Sequence, residues 1–202
     1  MNRVSIGKLL EDEELLQRFF IDLKTGSVVI IPTDTLYGFA VDASNHEAVA
    51  SVYHIKNRSE KKPLILFVDS VKRLIDLGAE LSFDQKSLLE KFWPGALTAV
   101  ITKPEADEIC AHSYKTLGVR IPGHSGLIEL LKSYSGKLLT TSANRSGLPS
   151  VTDPDELFRE FFSEVDWLVE DNLKADGTAS TVIDLTCSPF RILRQGKVMF
   201  EI

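Results

Sequence analysis

The sequence predicts an α/β domain built on a mixed, strongly twisted sheet. Helical and strand-like periods alternate through the first 160 residues, and strand-like runs crowd the last 40. A doubly wound parallel sheet needs that alternation to continue to the end, so the tail excludes it. No internal repeat, low-complexity tract or Pro/Gly/Ser-rich linker divides the 202 residues, which predicts one domain spanning 1–202.

Leu9, Leu10, Leu15, Leu16, Phe19, Phe20 and Leu23 recur at helical spacing and predict one amphipathic helix over 8–24, ending at Gly26. SVVIIP at 27–32 reads as a buried strand closed by Pro32, which has no N–H to give a ladder. A polar loop then leads into a helix over 45–56, where Ala48, Val49, Val52 and Ile55 keep the period and Asn45 is the N-cap. PLILFV at 63–68 is the next strand. Ser82 and Gln85 form a capping-box pattern that opens a helix through Phe92, WPG breaks it, and ALTAVIT at 96–102 is a strand. TLGVRIP is a strand, HSGLIELLKSY a helix, and KLLTTSAN a strand running into a loop. Asp153 as N-cap, Pro154 at the first position and Glu156 at the third start a helix through Phe161 or Phe162. DWLVED, STVIDLT, FRILRQG and KVMFEI are four short β-like runs.

With 23 Lys plus Arg against 29 Asp plus Glu, the net charge of −6 argues against general electrostatic adhesion to nucleic acid. No apolar run reaches the 18 or so residues a membrane helix needs, and MNRVSIGKLLEDEE turns acidic where a secretion signal turns apolar, so no membrane association and a cytoplasmic location are expected. Cys110 and Cys187 lie far apart with no CxxC companion and read as small core or surface residues. His46, His54, His112 and His124 have no metal-ligand spacing, so zinc is not expected. The glycine-rich phosphate loop, the GxGxxG turn, HExxH and GxSxG are all missing, which argues against NAD and flavin chemistry on those motifs.

Polar clusters at strand ends carry the functional signal. Thr33, Asp34, Thr35 and Tyr37 place hydroxyls and a carboxylate at the mouth of the strand over 27–32. Lys56, Arg58, Lys61 and Lys62 put four cations within seven residues, a group suited to a phosphate-rich ligand, although Lys56 alone would also read as a helix C-terminal charge. TTSANRSG offers Thr140, Thr141, Ser142, Asn144 and Ser146; an ordinary Ser/Asn/Gly turn would look the same. Arg120 and Arg194 occupy strand positions otherwise filled by apolar residues, so each needs an anionic partner, either a structural carboxylate or a ligand.

PTDTLYGFAVDA, IKNRSEKKPL, FWPGALTAVI, GVRIPGH, TSANRSG, STVIDL and ILRQG, in that order, resemble the YrdC/Sua5 family of threonylcarbamoyl-adenylate synthases over about residues 20–197. The resemblance implies a YrdC-like open, twisted sheet with helices around a large central cavity. It also implies formation of threonylcarbamoyl-AMP and pyrophosphate from L-threonine, bicarbonate and ATP, with Mg²⁺ bound to ATP. The product would serve a separate tRNA threonylcarbamoyl transferase complex that modifies adenosine 37. The chain stops soon after ILRQGKV, as in the short, single-domain form. By resemblance, Lys56, Arg58, Lys61, Ser142, Asn144 and Arg194 hold ATP. Thr33, Thr35, Tyr37 and Thr98 line the side for threonine and its carbamate, Arg120 takes the threonine carboxylate, and Lys56, Arg58 and Arg120 carry catalysis. Ser59 and Lys62 depart from the family's Pro and Asn, which leaves the contacts of the 57–63 loop, and its motion as a lid, open.

Two other readings stay open. A non-catalytic relative that binds double-stranded RNA, or weak RNA binding beside the main activity, fits the basic cluster but not the overall charge. A carbamoyl-phosphate-using domain like that of hydrogenase maturation proteins normally sits in a longer chain with cysteine fingers, and this chain has two cysteines.

Overall fold

The computed structural model describes residues 1–104, 114–172 and 177–200, and among them ten strands form one sheet. The chain opens with a short strand, β1 (Asn2–Ser5), and two helices, α1 (Ile6–Glu11) and α2 (Glu13–Thr25). The single helix expected over 8–24 is therefore corrected to two. Asp12 is extended, at φ −104° and ψ 101°, and its carboxylate accepts the Leu15 N–H at 3.0 Å as the N-cap of α2. The apolar period runs through this break because both helices face the same core. Gly26 ends α2 in the left-handed region at φ 116°.

β2 (Val29–Ile31) turns back through residues 32–37 into β3 (Gly38–Asp42), paired antiparallel with Ile31 opposite Gly38. The sequence predicts a loop running on to the next helix here, so β3 is a correction. All five of its residues are buried, and a strand covered on both faces shows no alternation to detect. α3 (His46–Lys56) follows, with Asn45 Oδ1 accepting the Ala48 N–H at 3.0 Å. β4 (Ile65–Phe67), the unpredicted six-residue α4 (Val71–Asp76) and α5 (Phe83–Phe92) come next; α5 carries the full Ser82–Gln85 capping box. Then come β5 (Leu97–Thr102), β6 (Thr116–Arg120), α6 (Ser125–Ser133), β7 (Leu138–Ser142), α7 (Pro154–Phe161), β8 (Trp167–Glu170), β9 (Thr181–Asp184) and β10 (Arg191–Arg194). The sequence predicts a strand at KVMFEI; residues 197–200 are not one, and 201–202 lie outside the described residues. Cys110 and His112 also lie outside them.

The order β1-β8-β2-β3-β7-β4-β6-β5-β9-β10 mixes four parallel with five antiparallel pairings, so the sheet is mixed as predicted. The two-residue period of each strand divides its side chains between two cores. Ile30, Phe39, Val41, Leu66 and Leu139 pack with Val49 and Val52 of α3 and Phe161 of α7 on one face. Val29, Ile31, Ala40, Phe67 and Leu138 pack with Leu9 of α1, Phe19 and Leu23 of α2 and Leu127 of α6 on the other. Among the described residues no helix is long and apolar enough to cross a membrane.

Trp167 anchors the second core. It is 1% exposed, its ring meets Phe19 edge-on at 5.4 Å, and its Nε1 donates to Asp22 Oδ2 at 2.9 Å. Trp167→Ala is expected to cost about 3–5 kcal/mol in urea unfolding, through a cavity under α2. Trp167→Phe keeps the edge contact and loses the hydrogen bond, at about 1 kcal/mol.

Candidate active site

A cavity of about 220 Å³ opens where the 32–37 turn, β4, β6, β7 and β10 meet. Its wall carries the hydroxyl-bearing Thr33, Thr35, Tyr37, Thr140, Thr141, Ser142, Ser150 and Ser180, and the apolar Pro63, Ile65 and Phe67 lie against them. Arg58, Arg120 and Arg194 bring three guanidiniums to the same space, and no carboxylate is among its described lining residues.

The 32–37 turn is held by one side chain. Thr33 Oγ1 accepts the N–H groups of Thr35 at 3.0 Å and Leu36 at 3.1 Å, and donates to Leu36 O at 2.6 Å. Tyr37 lines the cavity, its Oη accepts the Asp171 N–H at 3.2 Å, and burial pushes the phenol up, so it stays neutral.

Arg120 is buried at the end of β6 and spends three of its five N–H bonds on the protein. Nε donates to Gly95 O at 2.9 Å, one terminal nitrogen to Thr35 Oγ1 at 3.0 Å, and the other to Asp34 Oδ1 at 2.6 Å. Arg58 uses Nε on Lys62 O at 3.2 Å and a terminal nitrogen on Pro63 O at 3.3 Å. Arg194 reaches back from β10 to Ser180 O at 2.9 Å. Burial is the first cause that lowers the proton affinity of all three, and the charge of Arg194 lowers Arg58 and Arg120 further. Guanidiniums stay charged under such pressure. The cavity therefore holds a surplus of positive charge that only an anion relieves, in a chain that is negative overall.

Other predicted residues stand elsewhere. Thr98 is 1% exposed and lies behind the wall, sharing a 2.8 Å hydrogen bond with Ser180 Oγ. Lys61 and Lys62 are exposed and do not line the cavity. Ser59 and Lys62 act through the backbone: the Lys62 N–H donates to Ser59 O at 3.1 Å, and Lys62 O accepts from the Tyr53 hydroxyl and from Arg58 Nε, both at 3.2 Å. Asn144 organises its own turn, with Nδ2 donating to Leu148 O at 2.6 Å and Oδ1 accepting from Ser142 Oγ at 2.7 Å.

Lys56 is buried, at 1% exposure. Its ammonium donates to Ser142 O, to Asn144 O at 2.8 Å and to Asn144 Oδ1 at 3.0 Å, above the Phe39 ring at 5.5 Å. Three acceptors with no donor among them match three N–H bonds, which is the protonated form. Burial, and then repulsion from Arg58, pull its pKa down to about 7.

The sequence marks Asp34 only as part of a polar pocket and Ser180 only as part of a motif, and in the structure they fix Arg120 and Arg194. Their signal was the carboxylate between two pocket threonines and the serine opening STVIDL. His124 caps α6, with Nδ1 accepting the Leu127 N–H at 3.1 Å and Nε2 standing 2.8 Å from Asp171 Oδ2. Among the described residues no three His, Cys, Asp or Glu side chains gather as a metal site.

The cost of the buried Lys56 charge is full below about pH 7 and falls away as pH rises toward the ordinary lysine value of about 10.4, because over that window the unfolded chain keeps the proton that the folded chain has lost. Urea unfolding of the protein against Lys56→Met is expected to show a stability difference that moves in favour of the native lysine across this window. A flat difference contradicts the assignment.

The Sua5/YciO/YrdC family model, described as telomere recombination, matches residues 22–196. The threonylcarbamoyl-AMP synthase of Pyrococcus abyssi is 32% identical over 180 residues, which are 89% of this chain and 53% of that protein. This chain thus spans about half the length of that relative. The mouse protein of the same name is 33% identical over 194 residues, 91% of this chain and 67% of its own. The crystal structure of Pyrococcus abyssi Sua5 complexed with L-threonine aligns with a TM-score of 0.83 at 31% identity, covering 92% of this chain and 55% of that one. The mixed open sheet, the hydroxyl-lined turn and the arginine cavity are thus set in a sequence that the family model matches over most of its length, and the chain belongs to the Sua5/YciO/YrdC family.

Proposed function

We propose that the cavity binds ATP, L-threonine and bicarbonate and forms threonylcarbamoyl-AMP with release of pyrophosphate. The observation that carries this reading is the convergence of Arg58, Arg120 and Arg194 on one hydroxyl-lined space with no carboxylate among its described lining residues. The names of the relatives, and the threonine in one of them, point the same way.

The chemistry asks for such a site. The threonine amine, as the free base, attacks the carbon of CO2, or of bicarbonate with cleavage of its C–OH bond and loss of water, and the nitrogen gives up a proton to leave the N-carboxylate. The carbamate oxygen then attacks the α-phosphorus of ATP, forming the P–O bond as the bond to pyrophosphate breaks. Arg58 and Arg194 offset the charge on the phosphate oxygens, and Arg120 keeps one N–H on each terminal nitrogen for the threonine carboxylate. The carbamate is labile in water, so enclosing it among Thr33, Thr35, Tyr37 and the apolar wall of Ile65 and Phe67 protects it. Magnesium would enter with ATP: phosphate and hydroxyl oxygens suit it, and the nearby Asp34 is already paired with Arg120. Protons leave through substrate groups or water, and Asp34 acts by orienting Arg120. The product would then serve a separate transferase that modifies tRNA.

Pyrophosphate release, measured with each substrate omitted in turn, is expected only with all three present. Threonine-independent turnover defeats the reading. Arg58→Ala is expected to lower kcat/KM for ATP by about 10- to 100-fold, and Arg120→Ala to raise the threonine KM by a similar factor. Asp34→Asn should raise the threonine KM and leave the acidic limb of the pH–rate profile in place; losing that limb with binding intact makes Asp34 the base instead.

A further inference from the structure

The resemblance assigns Lys56 to the phosphates, but its Nζ is enclosed by protein oxygen. Ser142 O, Asn144 O and Asn144 Oδ1 converge on it from one short segment, and the Phe39 ring face closes the site at 5.5 Å. Three oxygen dipoles aimed at one point repel one another, and a positive charge among them offsets that repulsion, against the desolvation that pulls the ammonium's pKa down. Neutral carbonyl and amide oxygens are the ligand set that replaces the hydration shell of a monovalent cation. The contact is reciprocal, since the Ser146 N–H donates to Lys56 O at 2.7 Å. The ammonium thus holds residues 142–144 and the Lys56 main-chain carbonyl holds Ser146, and Ser142 at the start of this turn lines the cavity.

We propose that Ser142 O, Asn144 O and Asn144 Oδ1 form a monovalent-cation site that the chain fills with its own tethered ammonium, and that Lys56 is a positioning residue for the cavity wall at Ser142. The cation site stands on the geometry alone; its bearing on nucleotide use rests on the function proposed above. Lys56→Ala opens the site to a free ion of the same size and charge as the lost ammonium. A side chain that contacts phosphate would not be replaced in this way, because a free ion bound at Ser142 and Asn144 leaves the phosphate contact broken.

The test uses Lys56→Ala and Lys56→Met beside the native chain, at constant ionic strength below about pH 7, where Lys56 is charged. Melting is followed without substrates in ammonium, potassium and tetramethylammonium chloride. Lys56→Ala is expected to gain about 5–10 °C, saturably, from ammonium or potassium and nothing from tetramethylammonium. The native chain and Lys56→Met, whose side chain keeps the space filled, should not distinguish the salts. Equal melting of Lys56→Ala in all three salts overturns the cation site, whether or not the chain makes the adenylate. In the pyrophosphate assay, ammonium is expected to restore kcat of Lys56→Ala at least about tenfold, with the ATP KM near that of the native chain. A raised ATP KM that ammonium leaves unchanged overturns the positioning role. Should Lys56→Ala fail to fold, the native chain still decides: three hydrogen bonds slow proton exchange and should give an observable Lys56 ammonium resonance, and exchange as fast as at surface lysines overturns the proposal.

Discussion

A guanidinium removed from water must have its N–H bonds answered, and Arg120 meets that demand by drawing three separate segments together. Gly95 O comes from the turn before β5, Thr35 and Asp34 from the turn between β2 and β3, and Arg120 itself from the end of β6. None of these segments is adjacent in the sheet order to all the others, so the ion pair sets the mouth of the cavity where strand pairing alone does not. A buried pair of this kind is weak as a source of stability, because desolvation offsets most of the attraction. Its value here is geometric: it selects one arrangement of the wall.

The electrostatics of the site follow from the same economy. Each arginine at the cavity is fastened by carbonyl oxygens or by one carboxylate, which fix direction and leave most of the charge uncancelled. Carbonyls at Lys62, Pro63, Gly95 and Ser180 orient without neutralising. A site lined instead by salt bridges would be as ordered and would have little pull on a polyphosphate.

Much of the fold was legible because it is written locally. Asn45, the Ser82–Gln85 pair and Asp153 cap their helices as their side-chain chemistry requires, and the apolar runs at 27–32, 63–68 and 96–102 contain strands β2, β4 and β5. β3 was not legible, since its identity comes from β2 and β7 on either side and not from its own pattern. The break at Asp12 was hidden by an apolar period that both helices share. In the site, residue type announced a polar, cationic cavity, but not direction. Lys56 and Arg58 are two residues apart and look alike in a sequence; one is buried against Asn144 and the other lines the cavity, because Asn57 between them takes the left-handed conformation at φ 49° and turns the chain.

The loop after α3 is fastened through the main chain of Lys62, whose carbonyl receives both Tyr53 and Arg58 while its side chain stays in solvent. Every residue owns such a carbonyl. The outer charge of this loop is accordingly decoupled from its shape, so drift at position 62 can retune how the rim attracts ions from solution without moving the arginine behind it.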